Sequence, residues 1–401
     1  MPDSRMSITR RVLNILLLYS VAAFLTGCWD REEVNDLALV TAAGLDKKKD
    51  NRYELSIQIF IPRAPGEGQK DLNTGGGKDS GGQTIVRTVE GATIAEAMSL
   101  MQELESRRIF WGHDKVFIIG EKLAREGIRK HIDFLIRHPQ VRESAFVFVS
   151  KGNVQDVLNF SPKVERSSAE VLRELAKSQI QMQVTLKDLN RMLSGDTGAA
   201  ALPWIDFKSQ PQQSSPPYIA GTAIFKKDRL SGIIDDNTTR GLLWVRDEMK
   251  TAVVTVRPKS DPGFVSMNLI RSRTQLVPRI HNGKWIITVK AETEDDIMQN
   301  GTELDMMDAK VSKMLEAEME KAIKNKINKA IVQVQKKLRA DIFGFADVFH
   351  RSYPKQWNEV KDHWDEIFPE IEVVIEVKAN IRRPGMSNVP AGLPKEEVKK
   401  K

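Results

Sequence analysis

One cysteine in 401 residues rules out a disulfide framework within the chain and any thiolate-rich metal site. Histidine is also scarce, with six residues, and neither an HExxH nor a GxSxG string occurs. The common zinc-protease and serine-hydrolase signatures are therefore missing. Long apolar runs are missing too. The most apolar stretch, Val12–Leu25, has 14 residues and as a helix would reach about 21 Å, against about 30 Å of hydrocarbon core. The remaining composition, 41% hydrophobic and 29% charged, is that of a globular protein. It excludes collagen, bulk disorder and a polytopic membrane protein, and the length implies two to three domains.

The single cysteine has an informative place. Arg5, Arg10 and Arg11 precede the apolar run, and Leu25-Thr26-Gly27-Cys28 follows it. This is the order of a secretory signal peptide, with small residues where a peptidase must approach the backbone. LTGC resembles the bacterial lipobox, in which cleavage between Gly27 and Cys28 makes an S-diacylglyceryl cysteine the new N-terminus, open to further N-acylation. A buried structural Cys behind an ordinary export signal is the alternative. Removing residues 1–27, with three Arg and one Asp, leaves 58 basic and 53 acidic residues, a net charge of +5. A diffuse excess of this size suits the face of an anionic membrane or wall. No nucleic-acid-binding signature accompanies it.

Along the chain, Val34–Leu45 reads as a mostly buried strand. Arg52–Ile61 alternates as a half-buried one, with Glu54, Ser56 and Gln58 turned outward. Residues 62–82 hold seven Gly and two Pro and read as a flexible loop. Its GGGKDS string lacks phosphate-loop spacing. Strands at Thr84–Val89, Lys115–Ile119 and Ser144–Val149 alternate with helices at Ile94–Arg107 and Glu121–Arg137, which indicates an α/β layer with some parallel pairing. Helices at Val154–Asn159 and Ser168–Leu193, the latter broken in its Gln-rich middle, complete an N-terminal α/β domain over 28–208. Residues 209–217 (SQPQQSSPP) have linker composition.

A β-rich middle domain is expected over 218–300, with strands at Tyr218–Phe225, Gly241–Val245, Thr251–Val256, Phe264–Thr274 and Trp285–Ala291. A C-terminal helix-and-strand domain follows over 301–384. There a stripe from Leu304 to Leu338 predicts one long helix over Glu303–Ala340. A helix from Pro354 and a strand over Glu370–Arg382 come next, then a disordered tail over 385–401. The expected class is mixed α/β or α+β, with about three domains, mixed sheets and packed helices.

Chemistry is hard to find. His131 and His138 lie seven apart on one helix without a third ligand. His113 has no nucleophile signalled nearby, and the acidic run Glu292–Asp296 lacks calcium-loop spacing and reads as a solvated strand exit. No catalytic residue, metal ligand or cofactor is assigned. Arg240, Trp244, Trp357 and Trp364 are candidate partner-facing residues, with burial in the core as the competing reading for the indoles.

An ordered set of strings then resembles the Ger(x)C family, the lipoprotein C subunits of GerA-type nutrient germinant receptors in spore-forming Gram-positive bacteria. The strings begin with Cys28-Trp29-Asp30, Glu33–Ala38 and Gly44-Leu45-Asp46. Next are WGHDKVFIIGE from Trp111, Asp133–Arg137 with Pro139, Phe148–Gly152 and Gly221–Lys226. TRGLLW at Thr239–Trp244, Asp341–Phe345, and Tyr353–Lys355 with Trp357 close the series. Asp114 departs from the pattern, where an apolar residue is more usual. The resemblance implies a three-domain α/β protein without catalytic residues, tethered through Cys28 to the outer face of the spore inner membrane. It would work there beside multi-pass A and B subunits. Two further functions stay open, an extracytoplasmic solute-binding lipoprotein that captures the germinant and an exported wall hydrolase.

Overall fold

The computed structural model describes residues 13–16, 36–61, 84–208 and 215–383. Gly27, Cys28, the Gly-rich segment 62–82 and the tail 385–401 lie outside the described residues.

The N-terminal region is built on β1 (Leu37–Lys47), β2 (Tyr53–Phe60), β3 (Thr84–Gly91), α1 (Ile94–Leu104), β4 (Arg108–Phe110) and β5 (Val116–Gly120). It continues through α2 (Glu121–Glu126), α3 (Arg129–Arg137), β6 (Phe146–Ser150), α4 (Val154–Asn159), α5 (Ser168–Lys177) and α6 (Leu186–Ser194). β7 (Ala200–Phe207), β8 (Pro217–Lys226) and β9 (Arg229–Asp235) complete one nine-stranded sheet. Its order is β3-β2-β1-β5-β6-β7-β8-β9, with β4 also beside β1. β1, β5, β6 and β7 run parallel and the flanking pairs antiparallel.

Three expectations change here. The helix over Glu121–Arg137 is two helices, because Gly127 takes φ +135°, a conformation that only glycine adopts readily. β8, read from sequence as the opening of the middle domain, pairs with β7 from Ala200↔Phe225 to Phe207↔Pro217, so residues 217–235 hydrogen-bond into the N-terminal sheet. β2 is buried on both faces, not half-buried. Its polar side meets the layer of α4 and α5, and Gln58, 1% exposed, meets its hydrogen-bonding needs there. Its amide donates to Leu158 O (2.8 Å) and Ser168 Oγ (3.0 Å), and its Oε1 accepts from the Thr41 hydroxyl (3.2 Å). A polar side chain so partnered can be buried at small cost.

The C-terminal region comprises α7 (Asp236–Val245), β10 (Val253–Val256), β11 (Val265–His281), β12 (Lys284–Asn300) and α8 (Ala309–Ile331). A π-helical turn (Val332–Leu338), α9 (Phe345–Ser352), α10 (Pro354–Val360), α11 (Trp364–Ile367) and β13 (Glu372–Arg383) follow. The sheet order is β10-β11-β12-β13, with β13 parallel to β12. β11 and β12 are 17 residues each, longer than read from sequence, and turn at Asn282-Gly283, both with positive φ. That dipeptide is the preferred two-residue hairpin turn. The acidic run Glu292–Asp296 consequently lies inside β12 and not at its exit.

Residues Gly241–Val245 are helix, not strand. Asp235 caps α7 by accepting from Thr238 N at 2.7 Å, and a short apolar run such as LLWV fits a buried helix as well as a strand. The long helix starts at Ala309, where the Asp308 carboxylate caps it by accepting from Lys310 N (2.8 Å). Val311, Leu315, Met319, Ile323 and Ile327 form its buried stripe. Glu316 and Glu320 accept from the Ile381 and Ala379 amides (3.0 and 3.1 Å), which covers part of the open edge of β13.

Candidate functional site

The TRGLLW string makes the joint between the two sheets. Thr239 and Thr222 of β8 share a buried hydrogen bond of 2.9 Å, which ties α7 to the first sheet. On its other side α7 packs on α8 so closely that a Cβ at Gly241 would lie 2.1 Å from the Lys326 carbonyl oxygen. Only glycine fits this crossing. Charged groups surround the joint: Arg240 pairs with Asp236 (3.3 Å) and Lys329 with Asp235 (3.0 Å). Burial, with Arg240 nearby, pushes the Lys326 ammonium below its usual pKa.

The Asp341–Phe345 string sits in an aromatic cluster. The Asp341 carboxylate accepts from Phe345 N (3.1 Å), Ala346 N (2.8 Å) and Trp364 Nε1 (3.0 Å), and burial raises its pKa to about 6. Trp364 packs edge-on against Trp357 at 4.8 Å between ring centres and against Trp285 at 5.8 Å. His350 stacks on Trp357 and reaches Asp196 of the N-terminal region at 2.8 Å.

These contacts correct the expectation of a partner-facing surface at the indoles. Trp244 and Trp357 are 1% exposed and Trp364 is 4% exposed, so each is core. An indole covers so much apolar area that the chain itself claims it wherever a cluster can form. Arg240 keeps its side chain part-exposed beside Asp236.

The histidines do not converge. His131 is buried edge-on to Tyr53, and burial lowers its pKa to about 4, while His138 packs on Trp111 and Phe134. Asp114 is buried, with its carboxylate accepting from Val116 N (3.1 Å) and burial raising its pKa. It is a strand-start cap. Among the described residues no three His, Cys, Asp or Glu side chains gather within reach of one metal ion, and no helix is long and apolar enough to cross a membrane. An open groove of about 560 Å³ lies over β11–β13, lined by Asp247, Arg273, Glu292, Glu294, Lys378 and Asn380 among others. Glu294 is held there by Arg271 (2.5 Å) and Arg382 (3.2 Å), a ladder of charges that neutralise one another.

Residues 30–207 match the family described as the spore germination protein N-terminal domain, and residues 220–385 match "Spore germination B3/GerAC like, C-terminal". The putative spore germination protein YfkR of Bacillus subtilis (strain 168) is 31% identical over 382 residues, 94% of this chain and 98% of its own. The chain belongs to the Ger(x)C family of spore germination proteins. Spore germination protein KC of the same organism is 29% identical over 400 residues, 94% of this chain and 97% of its own. The crystal structure of the GerBC protein shares the fold, with a TM-score of 0.56 at 20% identity over 85% of this chain and 96% of that one. Ger(x)C proteins are non-catalytic receptor components for germination, and the chain carries that role. The gap between the two family matches, residues 208–219, runs from the end of β7 into the start of β8.

Proposed function

We propose that this chain is the lipid-anchored C subunit of a nutrient germinant receptor, held through diacylglycerol on Cys28 at the outer face of the spore inner membrane. It docks there on multi-pass A and B subunits and favours the receptor state that it binds better. The observation that supports this reading is the match of both family domains in order, with nearly full coverage of the relatives. The position of Cys28 directly behind the apolar run supports the anchor. The self-neutralised charge ladder over β11–β13 favours a subunit surface over a germinant-capturing cleft. In cells fed a labelled fatty acid, the wild-type chain takes up label and Cys28→Ala remains an unlabelled precursor, with germination through this receptor lost. Equal labelling of the two would refute the anchor. Spores that lack this protein and all other receptors, yet still germinate on nutrients, would refute the receptor role.

A further inference from the structure

β10 pairs with only the first part of β11, from Val265 to Asn268. The loop after α7 covers the next stretch: Leu269 N donates to Ala252 O (2.9 Å), the Ser272 hydroxyl to Met249 O (2.7 Å) and Thr274 N to the Asp247 carboxylate (2.7 Å). From Leu276 to His281 no strand among the described residues pairs with this side of β11. The Thr274 N–H points away from β12, and no bulge interrupts the register beyond it. Alternation in an antiparallel ladder therefore turns the Leu276 and Ile280 N–H groups outward as well, with the carbonyls of residues 274, 276, 278 and 280. Pro278 falls in the same phase, where a missing N–H costs no bond to β12. Such an edge is a template for one more strand.

A groove of about 480 Å³ follows this edge, lined by Leu276, Pro278, Phe343 and Val348, with Asp247 and Arg351 among its polar groups. Asp247 also lines the groove of about 560 Å³ over β11–β13, to which β13 contributes Lys378 and Asn380. The two grooves thus form one path from the last turns of β13 to the open edge of β11. Residues 384–401 follow Arg383 at the β13 end of that path. Arg383 lies opposite Asp296 and Thr274 opposite Ala291, about 17 Å apart along β12, and the open side of β11 is about 14 Å across the sheet from β13. About six or seven extended residues cover the resulting distance of about 22 Å, so residue 389 can reach Thr274.

We infer that residues 389–394 (VPAGLP), part of the tail expected from composition to be disordered, add to β11 as a fifth strand of the second sheet, parallel to it, and close its open edge. With Val389, Ala391 and Leu393 giving their N–H groups to the ladder, Pro390 and Pro394 both fall in the opposite phase, so neither proline removes a bond. In parallel pairing the residues of that phase lie on the Leu276 face of the sheet, and the two rings meet the apolar wall of the groove. Charge agrees with this occupant. Arg279 and Arg351 make no ion pair among the described residues, while Arg246 is held by Glu248 (2.7 Å) and Asp247 by Thr274 N. Asp347, the acid one turn before Arg351, lines a separate cavity with Asp196. Glu396 and Glu397 follow the added strand directly and meet the two free arginines, with Lys395 and Lys399–Lys401 left to solvent on either side.

Amide hydrogen exchange tests this, with the full chain compared with one that stops after Arg383. Truncation should speed exchange of the Leu276 amide by about tenfold or more, leave that of Val289 in β12 unchanged, and shift the denaturation midpoint little. Ala391→Pro, which removes a ladder N–H, should act like the truncation, whereas Gly392→Pro, in the other phase, should leave Leu276 protected. Equal exchange in the full and truncated chains, or an equal response to the two prolines, would overturn the added strand. So would protection that survives truncation and rises with protein concentration, which would make a second copy the occupant. Protection found only in membranes that hold the assembled receptor would assign the edge to a partner's strand and overturn it likewise.

Discussion

In the N-terminal sheet β1 and β2 are buried on both faces, whereas in the C-terminal sheet β11–β13 lay one face on α8 and leave the other to solvent. The first arrangement forces polar side chains such as Gln58 to find partners inside the protein. The second lets them form an exposed ladder, Lys290 with Glu376 (3.6 Å) and Arg271 with Glu294 and Arg382. Similar alternation therefore has different energetic weight in the two halves. A polar position in the first sheet is a packing constraint, and one on the outer face of the second is close to free.

The largest effect is expected where the second sheet meets its aromatic cluster. Trp357→Ala should lower unfolding free energy by about 3–5 kcal/mol, with protein level falling in parallel. Denaturant titration measures it, and an unchanged midpoint with a lost germination response would restore the partner-facing role. Next, Gln58→Leu should cost about 1–3 kcal/mol, since Ser168 Oγ loses the amide donor, Leu158 O keeps only the Ser168 hydroxyl (3.1 Å), and Ala169 N loses its Oε1 acceptor. A neutral result would show that the double layer over β2 relaxes.

Asp295 offers a test with a pH signature. It is buried in β12, with one oxygen bonded to Thr293 and the other unpartnered, and burial raises its pKa from 3.8 to about 6. The folded state thus holds a proton that the unfolded state releases, and this contribution is complete below about pH 4 and lost as pH rises to about 6 and beyond. Asp295→Asn should accordingly stabilise the protein at pH 7, by of order 2 kcal/mol, and change little at pH 4. Melting curves at the two pH values decide it. At Asp341, whose pKa is raised alike, Asn would lose acceptor capacity facing three donors, so the gain should not appear there. The smallest effect belongs to the outer ladder. Glu294→Gln should shift stability by less than about 1 kcal/mol in a denaturant titration, and a larger loss would show that the Arg271–Glu294–Arg382 ladder contributes more than exposed ion pairs do.

Much of the fold was legible as periodicity. Val154–Asn159 is the helix expected from its sequence and β13 differs from expectation only at its ends, whereas α8 begins later than expected and is buried through Leu315, Met319 and Ile323, with Met307 of the expected span 58% exposed. The strand expected at Gly241–Val245 was not, because LLWV carries no period and only the Asp235 cap and the faces of β8 and α8 choose helix. Asn282-Gly283 was a local signal for the long hairpin that the shorter strand readings passed over. The tryptophans were ambiguous because hydrophobicity says that an indole will be covered and not by what.

By itself the sequence determined the family, through strings of short-range chemistry spread in order along the chain, and it marked Cys28 as the residue to test. It also determined most elements, since a helix stripe or a strand alternation is local. Tertiary structure decided what those elements face. Only there do residues 217–235 join the N-terminal sheet, does Gly241 become the contact point of two helices, and do three tryptophans become core. Each of these depends on residues distant in sequence meeting in space, and no local pattern encodes which surface will arrive.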